Sequence, residues 1–307
     1  MNKIKIGTRG SKLALWQAYH IQDLLQQAGA DTEIVTIETK GDKILDVSIA
    51  KIGSKGVFTE EIEDQLKAGT IDIAVHSAKD MQSSLPDGFE LIAFTERELV
   101  NDVLVSTHNN VDLSQPLTIG TSSTRRVAML RHLYPHIKTV PVRGNLQTRI
   151  GKLQDGACDA LMLAYAGMHR MGYSDLIKAK LPVSDFTPAV GQGSVTIECY
   201  ETLDADKKEL IRKATNHTDT EACLLTERAF LREMDGGCSI PVFGLATLDG
   251  DQVTLNAGIV SLDGTDIIRK SATNHRNNGT ALGRQLAQEV LGAGGADILK
   301  KIKQELN

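Results

Sequence analysis

Over the first two thirds of the chain, short apolar runs alternate with stretches of helical period. Residues 4–8 read as a strand. Ser11 is placed to cap a helix to about Gln27, whose buried side would be Leu13, Leu15, Trp16, Ile21, Leu24 and Leu25, with Gly29 ending it. Residues 33–38 predict a strand, 59–67 a helix and 71–76 a buried strand. A second set follows, with strands at 103–106, 117–120, 139–142 and 160–163 and helices at 122–133 and 145–154. Residues 195–199 add one more strand. This rhythm predicts parallel or mixed sheets in two units of similar size. The last third changes character: a helix at 218–233, strands near 242–247, 253–259 and 266–271, then helices near 279–291 and 296–305. Helices packed on one antiparallel sheet would make a small α+β domain.

Composition narrows the class. A chain of 307 residues with 41% hydrophobic content predicts two or three domains. Aromatics are 4%, so the cores must be built from Ile, Leu, Val and Ala. The formal net charge of -5 disfavours a nucleic-acid partner and requires any anion site to concentrate its positive charge locally. No run of about 18 apolar residues predicts a membrane span. Met1-Asn2-Lys3-Ile4-Lys5 shows no apolar leader core. Cys158, Cys199, Cys223 and Cys238 are widely spaced, without a C-x-x-C pair, so neither a disulfide framework nor a metal site is expected. The expected setting is the cytoplasm.

The positive charge is indeed concentrated. No Asp or Glu occurs over residues 113–154, which carry Arg125, Arg126, Arg131, Lys138, Arg143, Arg149 and Lys152. A solvated helix face would explain this, but such faces usually mix both signs. Arg125 and Arg126 follow the strand-to-helix turn Gly120-Thr121-Ser122-Ser123, and Arg143 and Arg149 flank the next one, Gly144-Asn145. Backbone N–H groups at such turns suit an anion, and the guanidinium fork pairs with carboxylate or phosphate. Open α/β sheets bind ligands at these strand ends. Gly7-Thr8-Arg9-Gly10-Ser11 is a similar turn. Ile52-Gly53-Ser54-Lys55-Gly56-Val57 does not satisfy the phosphate-loop pattern, and a lid carrying Lys51 and Lys55 is as good a reading. His76-Ser77-Ala78-Lys79-Asp80 closes a buried strand; Asp80 is either a general acid or half of a local ion pair. Cys238, in Gly236-Gly237-Cys238-Ser239, is either an accessible nucleophile or a small apolar residue; packing suits the other three cysteines.

In order along the chain, these pieces resemble the porphobilinogen deaminase (hydroxymethylbilane synthase) family. The match includes Thr8-Arg9-Gly10-Ser11, Lys40-Gly41-Asp42, Gly56-Val57-Phe58, His76-Ser77-Ala78-Lys79-Asp80 and Gly120-Thr121-Ser122-Ser123-Thr124-Arg125-Arg126. It continues through Arg143-Gly144-Asn145, Leu163-Ala164-Tyr165-Ala166-Gly167, Pro188-Ala189-Val190-Gly191-Gln192-Gly193 and Gly236-Gly237-Cys238. The resemblance implies two α/β domains like a type II periplasmic binding protein around a central cleft, plus a small C-terminal α+β domain. The expected division is 1–97 with 194–214, then 98–193, then 215–307. It implies a monomeric transferase of porphyrin biosynthesis. Porphobilinogen loses ammonia to give an electrophilic azafulvene, four units join head to tail, and hydrolysis releases hydroxymethylbilane.

By matching position, Cys238 would hold a dipyrromethane cofactor through a thioether, and Asp80 would be the catalytic aspartate. Ser77, Lys79, Thr121, Ser123, Arg125, Arg126 and Gly144 would bind the cofactor; Arg9, Ser11, Arg143, Arg149 and Gln192 would bind substrate. Lys51, Lys55 and Phe58 would belong to an active-site loop. Several positions depart from the family's usual pattern: Ala78 stands for Met, Met81-Gln82-Ser83-Ser84 for a Val-Pro beginning, and Asn101 for an arginine. The rival readings are a noncatalytic solute-binding or sensor protein on the same two-domain fold, which would not require Gly236-Gly237-Cys238, and a phosphate-transferring enzyme.

Overall fold

A computed structural model describes residues 3–43, 59–237 and 239–306. The first sheet joins β1 (Ile4–Arg9), β2 (Thr32–Ile37), β3 (Ile73–Ser77), β4 (Phe89–Phe94) and, from far along the chain, β10 (Val195–Tyr200), in the order β2-β1-β3-β10-β4. The second joins β5 (Asp102–Val105), β6 (Thr118–Gly120), β7 (Lys138–Val140), β8 (Ala160–Ala164) and β9 (Ile177–Lys180), in the order β7-β6-β8-β5-β9. In each sheet four strands run in one direction and one strand, β10 or β5, is antiparallel to both its neighbours. The two sheets thus share one topology. The two α/β lobes are joined to a smaller unit, the antiparallel meander β11 (Val242–Asp249), β12 (Gln252–Val260) and β13 (Ile267–His275).

The cap expected at Ser11 forms, and two of the second-lobe helices start one or two residues inside their expected limits, each behind a capping side chain. Ser11 accepts from Ala14 N–H, Ser123 from Arg126 N–H and Asn145 from Thr148 N–H, starting the helices Lys12–Gln27, Thr124–Leu133 and Leu146–Gln154. The strand expected at 139–142 stops at Val140, because Pro141 has no N–H to donate. The helix Lys12–Gln27 departs from its expected buried side. Ile21 and Leu25 are fully buried, whereas Leu13, Leu15 and Trp16 are only half-buried. Trp16 and Leu13 look across to the second lobe: the Arg170 guanidinium lies 5.2 Å from the Trp16 ring centroid, and Leu13 approaches Gly167.

The chain crosses twice between the lobes, from β4 to β5 and again into β10. The two crossings are hydrogen-bonded to each other, Thr95 N to Val195 O at 3.0 Å and Glu98 N to Gly193 O at 3.2 Å. Asn101 sits in the first crossing and donates its amide to Leu181 O at 2.9 Å, so the departure from arginine leaves a closed contact there.

The third unit has its own core. The helices Thr218–Glu233 and Gly279–Val290 cover the meander with Phe230, Leu282, Leu286 and Val290 against Val253, Leu255 and Ile259. Among the described residues no helix is long and apolar enough to cross a membrane.

Candidate active site

Strand ends converge on one cleft. Arg9 ends β1, Ser77 ends β3 and Ala164 ends β8, while Ser122 and Arg143 follow β6 and β7; all five line it. The third unit closes one side with Gly236, Gly237 and Ser239. The cleft holds about 1330 Å³, above the roughly 300–1,000 Å³ usual for a single small ligand. Among the described lining residues seven are cationic and three acidic, the acids being Glu38, Asp80 and Asp235. A protein of net charge -5 therefore gathers its positive charge where a ligand would sit.

The arginines are not equivalent. Arg125 and Arg126 are 5% exposed and converge on Asp102, which is wholly buried. Arg125 Nη2 lies 2.7 Å from Asp102 Oδ2; Arg126 Nη2 and Nε lie 2.7 and 3.0 Å from Oδ1. Arg125 also donates to Thr187 O and Arg126 to Met162 O. Burial by itself would raise the Asp102 carboxyl, but the two guanidiniums hold it well below the carboxylate range. Gln192 belongs to the same group, donating to Asp102 Oδ1 at 2.9 Å and Val100 O at 2.7 Å. The stretch without acids in sequence thus meets its acid in space, from β5. Arg125, Arg126 and Gln192 form a floor that touches the cleft, its two positive charges half offset by Asp102, rather than three open clamps.

Arg143 and Arg149 stand on the wall above. Arg149 Nε donates to Gly144 O at 2.8 Å, and Gly144 takes φ +113°, a conformation open to glycine. Burial and then Arg126 lower the Arg149 pKa, with Asp80 opposing. Arg143 Nη1 is buried without a protein partner. Arg9 and Ser11 face the same space from the first lobe. Ser123 lines the cleft, but Thr121 does not: it is buried, its hydroxyl accepts from Ser123 N at 3.3 Å, and it shapes the turn.

The segment Ala78–Asp80 is a single 3-10 turn. Ser77 accepts from Gln17 Nε2 at 2.8 Å. Asp80 is exposed on the cleft wall. Lys79 is partly exposed there, and its pKa is pushed down to about 8 by desolvation, with Arg126 and Arg125 adding to the effect and Asp80 and Asp102 opposing it. A lysine poised near neutrality beside a carboxylate suits proton traffic at the ligand.

Arg170 was not among the expected site residues, yet it lines the cleft, donates to Gly193 O at 2.8 Å and packs on Trp16. The sequence signal was its place one helix beyond β8, at the end of Tyr165–Arg170. Cys158, Cys199 and Cys223 are free and buried, as packing predicts. Burial pushes the Cys199 thiol up to about 12 and the Cys223 thiol up to about 11, so both are inert at neutral pH. Cys238, Lys51, Lys55 and Phe58 lie outside the described residues. Among the described residues no group of His, Cys, Asp or Glu could hold a metal ion.

Two family models match the chain. "Porphobilinogen deaminase, dipyromethane cofactor binding domain" covers residues 4–209, and "Porphobilinogen deaminase, C-terminal domain" covers residues 221–292. The chain is 53% identical over 306 residues to the porphobilinogen deaminase of Desulfosudis oleivorans, covering 99% of each. It is 56% identical over 311 residues to that of Cytophaga hutchinsonii, covering 100% of this chain and 99% of the relative. Among solved structures, the methionine binding protein MetQ covers 69% of this chain and 89% of its own, at 15% identity and a TM-score of 0.44.

Proposed function

The chain belongs to the porphobilinogen deaminase family, and on that premise we propose a division of labour among the residues of its cleft. It is a transferase, a hydroxymethylbilane synthase, that joins four porphobilinogen molecules head to tail with loss of ammonia and then hydrolyses the chain to hydroxymethylbilane, in tetrapyrrole and haem biosynthesis. Its cofactor is dipyrromethane. The residues present fit such a group. Each pyrrole brings an acetate and a propionate, and the cleft offers an excess of cations, with Arg143 Nη1 and Arg125 Nε buried and unpartnered. When bound, the cofactor supplies the pyrrole α-carbon to which each new unit is joined.

Cys238 would carry the cofactor; the observation that supports this best is that its chain neighbours Gly237 and Ser239 line the cationic cleft. Arg9, Ser11, Arg143 and Arg149 would hold the carboxylates of the incoming unit, and Arg170 would join them. Ser77, Lys79, Ser123 and the turn at Gly144 would face the cofactor's carboxylates, Lys79 also reaching those of the incoming unit, over the floor of Arg125, Arg126 and Gln192. Thr121 would act through the turn it shapes. Lys51, Lys55 and Phe58 would cover the cleft. Asp80, as a carboxylate, would stabilise positive charge as ammonia leaves and accept the proton that the pyrrole α-carbon gives up after the new bond forms.

Domain limits of 1–97 with 194–214, 98–193 and 215–307 agree with the membership of the three sheets. The working form we propose is a cytoplasmic monomer.

Intact-mass measurement of freshly purified protein tests the central assignment. The mass should exceed that of the chain by one dipyrromethane, and Cys238→Ala should lose both the increment and turnover. An unmodified, fully active chain would refute the attachment. Lys79 gives a second test. As pH rises through about 8 its charge is lost, so KM for the carboxylated substrate should climb between pH 7 and 9 in the unaltered protein. Lys79→Arg, which stays charged, should flatten that climb; an identical profile in both proteins would remove Lys79 from substrate binding.

A further inference from the structure

A buried polar cluster stands behind the turn that bears Asp80. His76 Nε2 meets Glu198 Oε2 at 3.0 Å between β3 and β10, with the side chains 7% and 0% exposed. The helix Glu60–Lys67 packs over the same face and brings Glu63, also buried. Burial pushes the Glu63 carboxyl up, Thr59 opposing and Glu198 adding to the rise. Gln82 Nε2 donates to Thr59 Oγ1 at 3.1 Å and Glu63 Oε1 at 3.2 Å. From the third unit, Arg228 Nη2 donates to Gln82 O at 2.7 Å. Burial pushes the Arg228 pKa down to about 10, Arg232 adding and Glu198 opposing. Glu198 Oε1 and Arg228 Nη1 are buried with no protein partner. His76, Glu198, Glu63 and Arg228 do not line the cleft, so ligand contact does not account for them.

Their placement does. The segment from His76 to Gln82 is pinned at both ends by this cluster, and between the pins lie Ser77, Lys79 and Asp80, which face the cleft. Inside the segment, Ser77 accepts from Gln17 Nε2, Ala78 N bonds to Ser194 O at 3.0 Å and its side chain packs on Phe94 and Leu224, and Gly191 packs so close that a Cβ there would come 2.8 Å from Lys79 N, but none of these contacts reaches the Asp80 side chain. Burying ionisable groups is costly, and well-packed apolar residues are often as stable or more so. Stability alone therefore does not explain four such groups in one place. We propose that His76 and Glu198, completed by Glu63, Gln82 and Arg228, are positioning residues that set where the Asp80 carboxylate stands in the cleft. The proposal rests on Asp80 being the catalytic carboxylate.

The test uses cofactor-loaded protein, with loading checked by intact mass, and compares His76→Leu, His76→Gln, Asp80→Asn and the His76→Leu/Asp80→Asn double variant. A misplacement of about 1 Å costs roughly 100-fold. His76→Leu should therefore lower kcat about 10- to 100-fold while KM moves less than about twofold. His76→Gln keeps a donor toward Glu198 and should recover most of the loss. In the Asp80→Asn background, His76→Leu should add little. Wild-type kcat in His76→Leu, or a loss that multiplies in full with that of Asp80→Asn, overturns the proposal. Should His76→Leu fail to fold or load, Glu198→Gln is read in its place, and wild-type kcat there overturns the proposal equally. Near-normal turnover in Asp80→Asn alone would instead sink the reading of Asp80, an outcome visible separately from any effect of His76.

Discussion

Asp80→Asn protein is expected to bind porphobilinogen nearly as tightly as the unaltered chain while kcat falls about 100- to 10,000-fold, the usual worth of a positioned acid–base group. The substitution keeps the shape of the side chain, and Asp80 is the exposed member of the turn Ala78–Asp80, so the turn has no packing reason to move. What it removes is a negative charge among Lys79, Arg126 and Arg149, and a group able to take a proton. The loss should therefore fall on the chemical step, with KM almost unchanged because the carboxylates of the substrate are held by cations elsewhere on the wall. Rapid-quench kinetics of the first addition, followed by mass, would measure it directly. A variant with near-normal single-turnover rates would take Asp80 out of the mechanism.

Asp102→Asn should be the most destabilising conservative change in the second lobe. Removing the charge leaves two buried guanidiniums facing each other, and breaking a buried pair in this way costs about 3–5 kcal/mol. In a thermal melt that corresponds to a fall of roughly 6–20 °C. The sign with pH follows from the depressed carboxyl. Its contribution is fully present above the unfolded pKa of about 3.9 and is lost as pH falls through the lower folded value. The gap between the two proteins should therefore be wide at pH 7 and narrow in strong acid. Equal melting temperatures at pH 7 would show that the guanidiniums are neutralised by something other than Asp102.

The sequence made the element order legible because capping residues and apolar periods agreed. Ser11, Ser123 and Asn145 each mark a helix start that the structure contains. The edge strands β4 and β9 escaped notice, as did the helices Tyr165–Arg170 and Ala205–Thr215. The strand β9 reads Ile-Lys-Ala-Lys, is nowhere fully buried and is paired only to β5, so its apolar signal is weak. Arg125, Arg126, Arg143 and Arg149 of the cationic stretch line one cleft, but charge counted along the chain could not reveal that Arg125 and Arg126 share Asp102. That pairing joins the head of one strand to a helix more than twenty residues later. The side of Lys12–Gln27 turned to the other lobe was hidden for a similar reason: Leu13 and Trp16 have the spacing of core residues, and periodicity does not say which neighbour they meet.

The paired crossings between the lobes bear on how a single cleft can serve a lengthening product. Two strands bonded side by side, as at Thr95 with Val195 and Glu98 with Gly193, form a ribbon, and a ribbon flexes across its face more readily than it shears or stretches. Movement of the lobes about this ribbon would resemble the opening of a book along its spine. An added ring would then be accommodated by widening the page gap at the fore-edge, while the spacing at the spine, where Gln192 and Asp102 lie, would change least.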